Sequence, residues 1–229
     1  MKIKSFLAKP YAAIVSKRIK KARKTAVADQ KEIFQHLVKV GKNTLFGKDH
    51  HFENIATYED FKQHVPVKDY EAFKPYIELI KEGKQNVLWK GKPLYFAKTS
   101  GTTSGVKYIP ITKDGIPNLV GSAKNALLCY MHESGNAAFA DGKMIFLTGS
   151  PVLERVGGIP TGRLSGISNH LVPGYLRKNQ LPDFTTNCIE DWEEKLGKIV
   201  EQTFDKNMTL ISGIPTGRLS GISNHLVPG

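Results

Sequence analysis

Up to residue 83 the apolar positions of the chain recur at helical intervals. Phe6, Leu7, Tyr11, Ile14 and Val15 predict a first helix with one apolar face, and Ile33, Phe34, Leu37 and Val38 predict a second over Ala28 to Val40, stopped by Gly41. Thr57, followed three residues later by Asp60, resembles a capping box with Asp in the place of Glu. It opens a short helix through His64, which Pro66 ends. Tyr76, Ile77, Leu79 and Ile80 carry a further helical segment that Gly83 closes. The period then changes. Asn86 to Trp89, Leu94 to Ala97 and Tyr108 to Thr112 read as strands. Pro117 to His132 returns to helical spacing, with Leu119, Ala123, Leu127 and Tyr130 along one face. Met144 to Leu147 is an unbroken apolar run suited to a strand buried on both faces. Gly157 to Gly174, rich in Gly and Pro, reads as a long surface loop. Ile189 to Phe204 forms an amphipathic helix with Trp192, Leu196, Ile199, Val200 and Phe204 inward, and Thr209 to Ile211 is a last short strand. The predicted class is α/β: N-terminal helices followed by a mixed sheet with flanking helices.

A chain of 229 residues makes one large domain or two small ones. Its formal charge of +12 changes the picture only at one end. Residues 1–24 hold nine basic side chains and no acidic one. The plain reading is a helix docked on its own domain with its lysines in water; the alternative is an anionic membrane surface or nucleic acid. Downstream, no basic residues are interleaved with an aromatic stacking platform, so no specific nucleic-acid partner is expected. No apolar run is long enough to span a membrane, and Lys9 and Pro10 interrupt the stretch nearest to a signal sequence. Cys129 and Cys188 match no metal or redox spacing and read as thiols of a cytoplasmic protein.

Metal motifs fail on inspection. His132-Glu133 begins like a zinc-protease helix, but Asn136 stands where the second histidine belongs. His50 and His51 are adjacent and read as loop residues. No metal ligands are assigned. Glu190, Asp191, Glu193 and Glu194 suit the positive end of a helix rather than a catalytic carboxylate pair. Thr148-Gly149-Ser150 lies where a strand exits, a position that often lines a ligand site in open α/β sheets and is as often a plain strand exit. Arg163 is read as solvated, although it can meet a carboxylate or phosphate.

The candidate chemistry sits between two strands, in Thr99-Ser-Gly-Thr-Thr-Ser-Gly-Val-Lys107. Gly101 and Gly105 can adopt positive φ and let successive N–H groups converge on one point. Ser100, Thr102, Thr103 and Ser104 add short hydroxyl donors, and Lys107 adds a compact positive charge. The residues alone support an anion-binding loop; a polar hairpin that binds nothing is the plainer alternative. A P-loop is excluded by the spacing and by the strand, not helix, that follows.

This segment, with Lys107-Tyr-Ile-Pro110, resembles the first nucleotide motif of the GH3 (auxin-responsive promoter) family, within the acyl-adenylate-forming superfamily of firefly luciferase and the acyl-CoA synthetases. The resemblance runs from about residue 30 to Pro215 and includes Lys143 to Ser150 and Thr209 to Pro215. The wider superfamily ends the motif Gly-x-Pro-Lys; here it ends Gly105-Val106-Lys107, which leaves the reach of the lysine open. The resemblance implies an incomplete part of the large adenylate-forming domain over residues 28–215, preceded by a basic helix over 1–27. It implies ATP and Mg²⁺, a small-molecule carboxylic acid and an amine acceptor such as an amino acid. Ser100 to Gly105 would hold phosphates and Lys107 would neutralise charge in catalysis. Family members carry later motifs, Tyr-x-x-Ser-Glu-like and Tyr-Arg-x-Gly-Asp-like, and a small closing domain; none occurs here, so the chain is expected to be inactive by itself. A non-catalytic truncated product or a basic surface-binding module is the competing reading.

Gly158 to Gly174 and Gly213 to Gly229 are identical, residue for residue. Evolved repeats recur several times and drift. The second copy, from residue 216, is expected to be a joined-on tail without a working role.

Overall fold

The computed structural model describes residues 3–99, 105–172 and 174–213. The chain divides into two compact units: Met1–Lys17, Leu119–Leu153 and Gly162–Gly229 form one, and Arg18–Asn118 with Glu154–Thr161 form the other.

Helix α1 (Ile3–Gly41) contributes to both. The two N-terminal helices predicted from the apolar pattern are one continuous element, because nothing between Tyr11 and Val40 breaks a helix. Its burial also departs from expectation. Val15 is buried with Ala12 and Ser16, whereas Phe6, Leu7, Tyr11 and Ile14 are exposed.

In the second unit, α2 (Leu45–Asp49) is capped by Thr44, whose hydroxyl accepts from the Gly47 N–H. A 3-10 turn (Phe52–Asn54) leads to α3 (Tyr58–His64). The capping box is present: the Asp60 N–H donates to the Thr57 hydroxyl at 3.2 Å, and the Thr57 N–H donates to the Asp60 carboxylate at 2.8 Å. The N–H and hydroxyl of Thr57, with the Ala56 N–H, hold the Asp60 carboxyl below its ordinary pKa. Helix α4 (Tyr70–Lys81) is capped by Asp69 and buries Ile77 and Ile80. Those side chains form a core with Val87, Phe96 and Ile159, while Val38, Phe52 and Ile55 form a second beside Phe34, Phe46 and Phe61.

Asn86 to Trp89 is not a strand. Asn86 takes φ +55, its side-chain carbonyl accepts from the Gly91 N–H at 2.7 Å, and Val87 plugs the core. The carbonyls of Asn86 and Val87 accept the N–H groups of Leu45 and Phe46, so this backbone serves the start of α2 instead of a sheet. The four-stranded sheet of this unit runs in the order β2 (Tyr108–Ile111), β1 (Tyr95–Lys98), β5 (Ile159–Gly162), β4 (Glu154–Val156). The predicted loop over 157–174 is therefore mostly structured. Gly157 and Gly158, both at positive φ, turn β4 into an antiparallel β5, and Ile159 and Thr161 point inward.

The first unit continues with α5 (Ile116–Ser134), whose Leu128 and Met131 are buried. Strand β3 (Lys143–Phe146) lies between β6 (Gln180–Leu181) and β7 (Met208–Ser212), parallel to both. Parallel strands require crossovers, and α6 (Leu164–Leu171), α7 (Gly174–Arg177), α8 (Phe184–Cys188) and α9 (Trp192–Thr203) supply them. Helix α9 starts at Asp191, whose carboxylate accepts from the Glu194 N–H, so the acidic run is a cap and first turn. Phe204, predicted inward, is exposed because the helix ends at Thr203; Lys195 and Ile199 occupy the buried stripe.

Candidate functional site

Strands β1 and β2 pair in register from Tyr95↔Ile111 to Lys98↔Tyr108. One step beyond, the Thr99 N–H donates to the Lys107 carbonyl at 3.0 Å and pinches the neck of the connecting loop. Gly105 takes φ +76 there, and a Cβ on it would meet nothing within 4 Å among the described residues. The backbone conformation, not crowding, is what calls for glycine at this position.

Lys107 leaves the neck half-buried, with its Nζ 5.6 Å from the centre of the Tyr70 ring. Tyr70 opens α4, and its hydroxyl accepts the Tyr108 N–H at 2.8 Å. One tyrosine thus fixes the hairpin backbone and faces the neighbouring ammonium. Tyr108 packs edge-on against the fully buried Phe96, with the Lys81 Nζ 4.1 Å above its ring; Lys81 is held in turn by Glu78 at 2.8 Å. From β1, Lys98 pairs with Glu154 at 2.8 Å. Among the described residues Lys107 makes no ion pair.

Gly105 and Lys107 lie at one end of a closed hairpin neck, and a strand follows the loop, as the apolar pattern indicates. Ser100, Gly101, Thr102, Thr103 and Ser104 lie outside the described residues, as does the second copy of the repeat beyond Gly213. Among the described residues no group of three or more His, Cys, Asp or Glu is arranged to hold a metal ion. A small apolar hollow between Ile80, Val87, Trp89 and Pro110 has no charged lining and suits no phosphate.

The other unit contains a polar cluster around Thr148-Gly149-Ser150, in which the sequence reading left out Ser165, Asn169, Gln180, Asn187 and Lys195. It gathers at the carboxyl end of β3. The Thr148 hydroxyl accepts from Asn169 at 2.7 Å, and Gln180 donates to the Asn169 side-chain carbonyl at 2.7 Å. The Ser165 hydroxyl accepts the Gly149 N–H at 2.9 Å. Lys195, buried, donates to the Asn187 carbonyl at 2.8 Å and the Thr148 carbonyl at 3.4 Å. Arg163 is exposed and its stem lies over Gly149, where a Cβ would come within 2.9 Å of it. Thr148-Gly149-Ser150 is thus more than a strand exit; it is braced from three helices. The one sequence signal was a lysine on the apolar stripe of α9, three residues after Trp192 and four before Ile199.

The sequence profile of the GH3 family N-terminal domain matches residues 15–188. No curated protein matches the chain. Among solved structures, a GH3.15 acyl acid amido synthetase superposes with a TM-score of 0.62 at 16% identity, covering 79% of this chain and 32% of its own length. A second, described as AtGH3.15 acyl acid amido synthetase in complex with 2,4-DB, gives a TM-score of 0.52 at 17% identity, covering 74% of this chain and 29% of its own. The chain thus spans about a third of the length of the structures it matches.

Proposed function

Since this chain belongs to the GH3 family, we propose that residues 28–215 are the nucleotide-binding part of an ATP-dependent enzyme that activates a carboxylic acid as its acyl-adenylate. In that reaction a carboxylate oxygen attacks the α-phosphorus of ATP, the bond to the bridging oxygen breaks and pyrophosphate leaves. An amine, such as that of an amino acid, then attacks the acyl carbon, releasing AMP and a proton. The solved acyl acid amido synthetases that share the fold support this reading of the acid and the amide product.

The observation that supports it most directly is the pinched hairpin neck, with Gly105 at φ +76 and Lys107 facing Tyr70. A positive-φ glycine beside a closed neck turns backbone N–H groups toward a common point, which suits the phosphates of ATP. Lys107 would neutralise charge on phosphoryl oxygens as it develops, and the hydroxyls and backbone of Ser100 to Ser104 would add donors. Mg²⁺ would come with the nucleotide, held chiefly by its phosphates, and would supply further charge neutralisation when bound. We place the protein in the cytoplasm, where the free thiols Cys129 and Cys188 stay reduced.

ATP–pyrophosphate exchange in a family-length protein carrying this segment tests the proposal. Lys107→Ala should slow exchange by tens to hundreds of fold, about 2–4 kcal/mol of lost transition-state stabilisation. Gly105→Val should cost as much, since a β-branched residue resists positive φ. The 229-residue chain by itself should show no exchange, because it spans only about a third of the matching enzymes. Wild-type exchange in both variants would reduce the loop to a structural turn.

A further inference from the structure

We propose that the outward face of α1 seats the protein on an anionic lipid surface, with the helix lying in the plane of the interface. The helix carries two stripes at α-helical spacing. Ala8, Ala12, Val15 and Ile19 are partly or fully buried and dock the helix. On the opposite side Phe6, Pro10, Ile14, Lys17, Lys21 and Lys24 follow one another at steps of three and four residues and are all exposed. Phe6 is 62% exposed, Leu7 65% and Ile14 66%, so the apolar residues expected to hold the helix down face outward instead.

The stripe is graded along its length: apolar at its start, basic from Lys17 onward. Arg18 flanks it, and no acidic side chain occurs before Asp29. In the same unit Lys124 sends its Nζ to within 3.4 Å of the Tyr11 hydroxyl, adding a further cation beside the apolar end. This pairing has one physical complement, a surface with hydrocarbon just beneath a layer of negative charge. Phe6, Leu7 and Ile14 enter the acyl boundary while the lysines meet the headgroups. A nucleic acid would answer the lysines but not Leu7 or Ile14, which have no π face for a base to stack on. No helix of the described residues is long and apolar enough to cross a membrane, so the contact is peripheral.

Co-sedimentation of the 229-residue chain with vesicles decides the matter. Partition should be strong into phosphatidylcholine–phosphatidylserine vesicles, weak into phosphatidylcholine alone, and should fall as salt is raised. Lys17→Glu combined with Lys21→Glu should lower it ~tenfold or more. Phe6→Ser, Leu7→Ser and Ile14→Ser together should lower it ~tenfold or more as well. Because all five positions are exposed, unchanged far-ultraviolet circular dichroism should accompany both sets. The proposal is overturned by absence of partition into the anionic vesicles, or by partition that the serine variant leaves intact. Self-association abolished by the serine variant without vesicle binding would assign the face to a second copy, and binding to duplex DNA alone would assign it to nucleic acid. Loss of vesicle binding in a family-length protein would show that further polypeptide covers the face; each of these outcomes also overturns it.

Discussion

Lys195 is only 6% exposed, and its partners are backbone carbonyls. Burial pushes the pKa of Lys195 down, the Arg163 charge pushes the same way, and Cys188 opposes them. The native state therefore gives up this proton at a lower pH than the unfolded chain, whose lysines titrate near ~10.4. Between those two values the unfolded state binds more protons, so this group makes stability rise with pH in the alkaline range below ~10.4. Lys195→Met should remove that slope. It should also leave the Asn187 and Thr148 carbonyls unmet, at a cost of about 1–3 kcal/mol near neutral pH. Urea midpoints at neutral and alkaline pH measure both effects; a wild-type slope in the variant would place its origin elsewhere. The sequence hid this residue for a physical reason. Its partners are main-chain oxygens, which carry no residue identity, so only the lysine's place on an apolar stripe marked it. Asp60 is the opposite case, since its partner Thr57 lies three residues away and the pairing is written in the local sequence.

At the scale of elements, what could be read follows the same division between local and distant causes. The α3 cap, the β1–β2 hairpin around the candidate loop and the buried run of β3 depend on neighbours in sequence, and the structure has them where the pattern places them. Of the candidate loop, the sequence showed two flanking strands and a lysine between them. Asn86 to Trp89 misleads because its apolar side chains answer a core, while its carbonyls answer a helix start some forty residues earlier. The hairpin of β4 and β5 reads as a loop in the sequence because Gly157 and Gly158 signal flexibility until the surrounding packing is known. Gly157, at φ +57, lies against α4 so closely that a Cβ would come 2.0 Å from the Lys81 carbonyl oxygen. Gly157→Ala should therefore cost about 2–4 kcal/mol, strain and clash together. Thermal or urea denaturation would check this, with Gly83→Ala as the contrast: that glycine also has positive φ, but a Cβ there meets nothing within 4 Å. Equal losses in the two variants would show that backbone conformation alone sets the cost.

For the whole molecule, the two compact units are not two stretches of chain. The core around Phe96 and Ile77 includes Ile159, which arrives on β5 after a long excursion through the other unit. A chain ending at Leu153 would lack β4 and β5, and Phe96 should then lose most of its amide-exchange protection. Retained protection would show that the first 153 residues hold that core without Ile159.

The shared helix α1 has a consequence for synthesis. Its stretch up to Lys17 belongs with partners that begin at Leu119, and the rest belongs with a core that closes only at Thr161. As the polypeptide leaves the ribosome, neither unit can finish before Thr161 has emerged. Folding one domain at a time from the N-terminus is closed to this topology. Phe6, Leu7 and Ile14 are in the meantime among the apolar side chains that a nascent-chain chaperone, or a nearby bilayer, would meet.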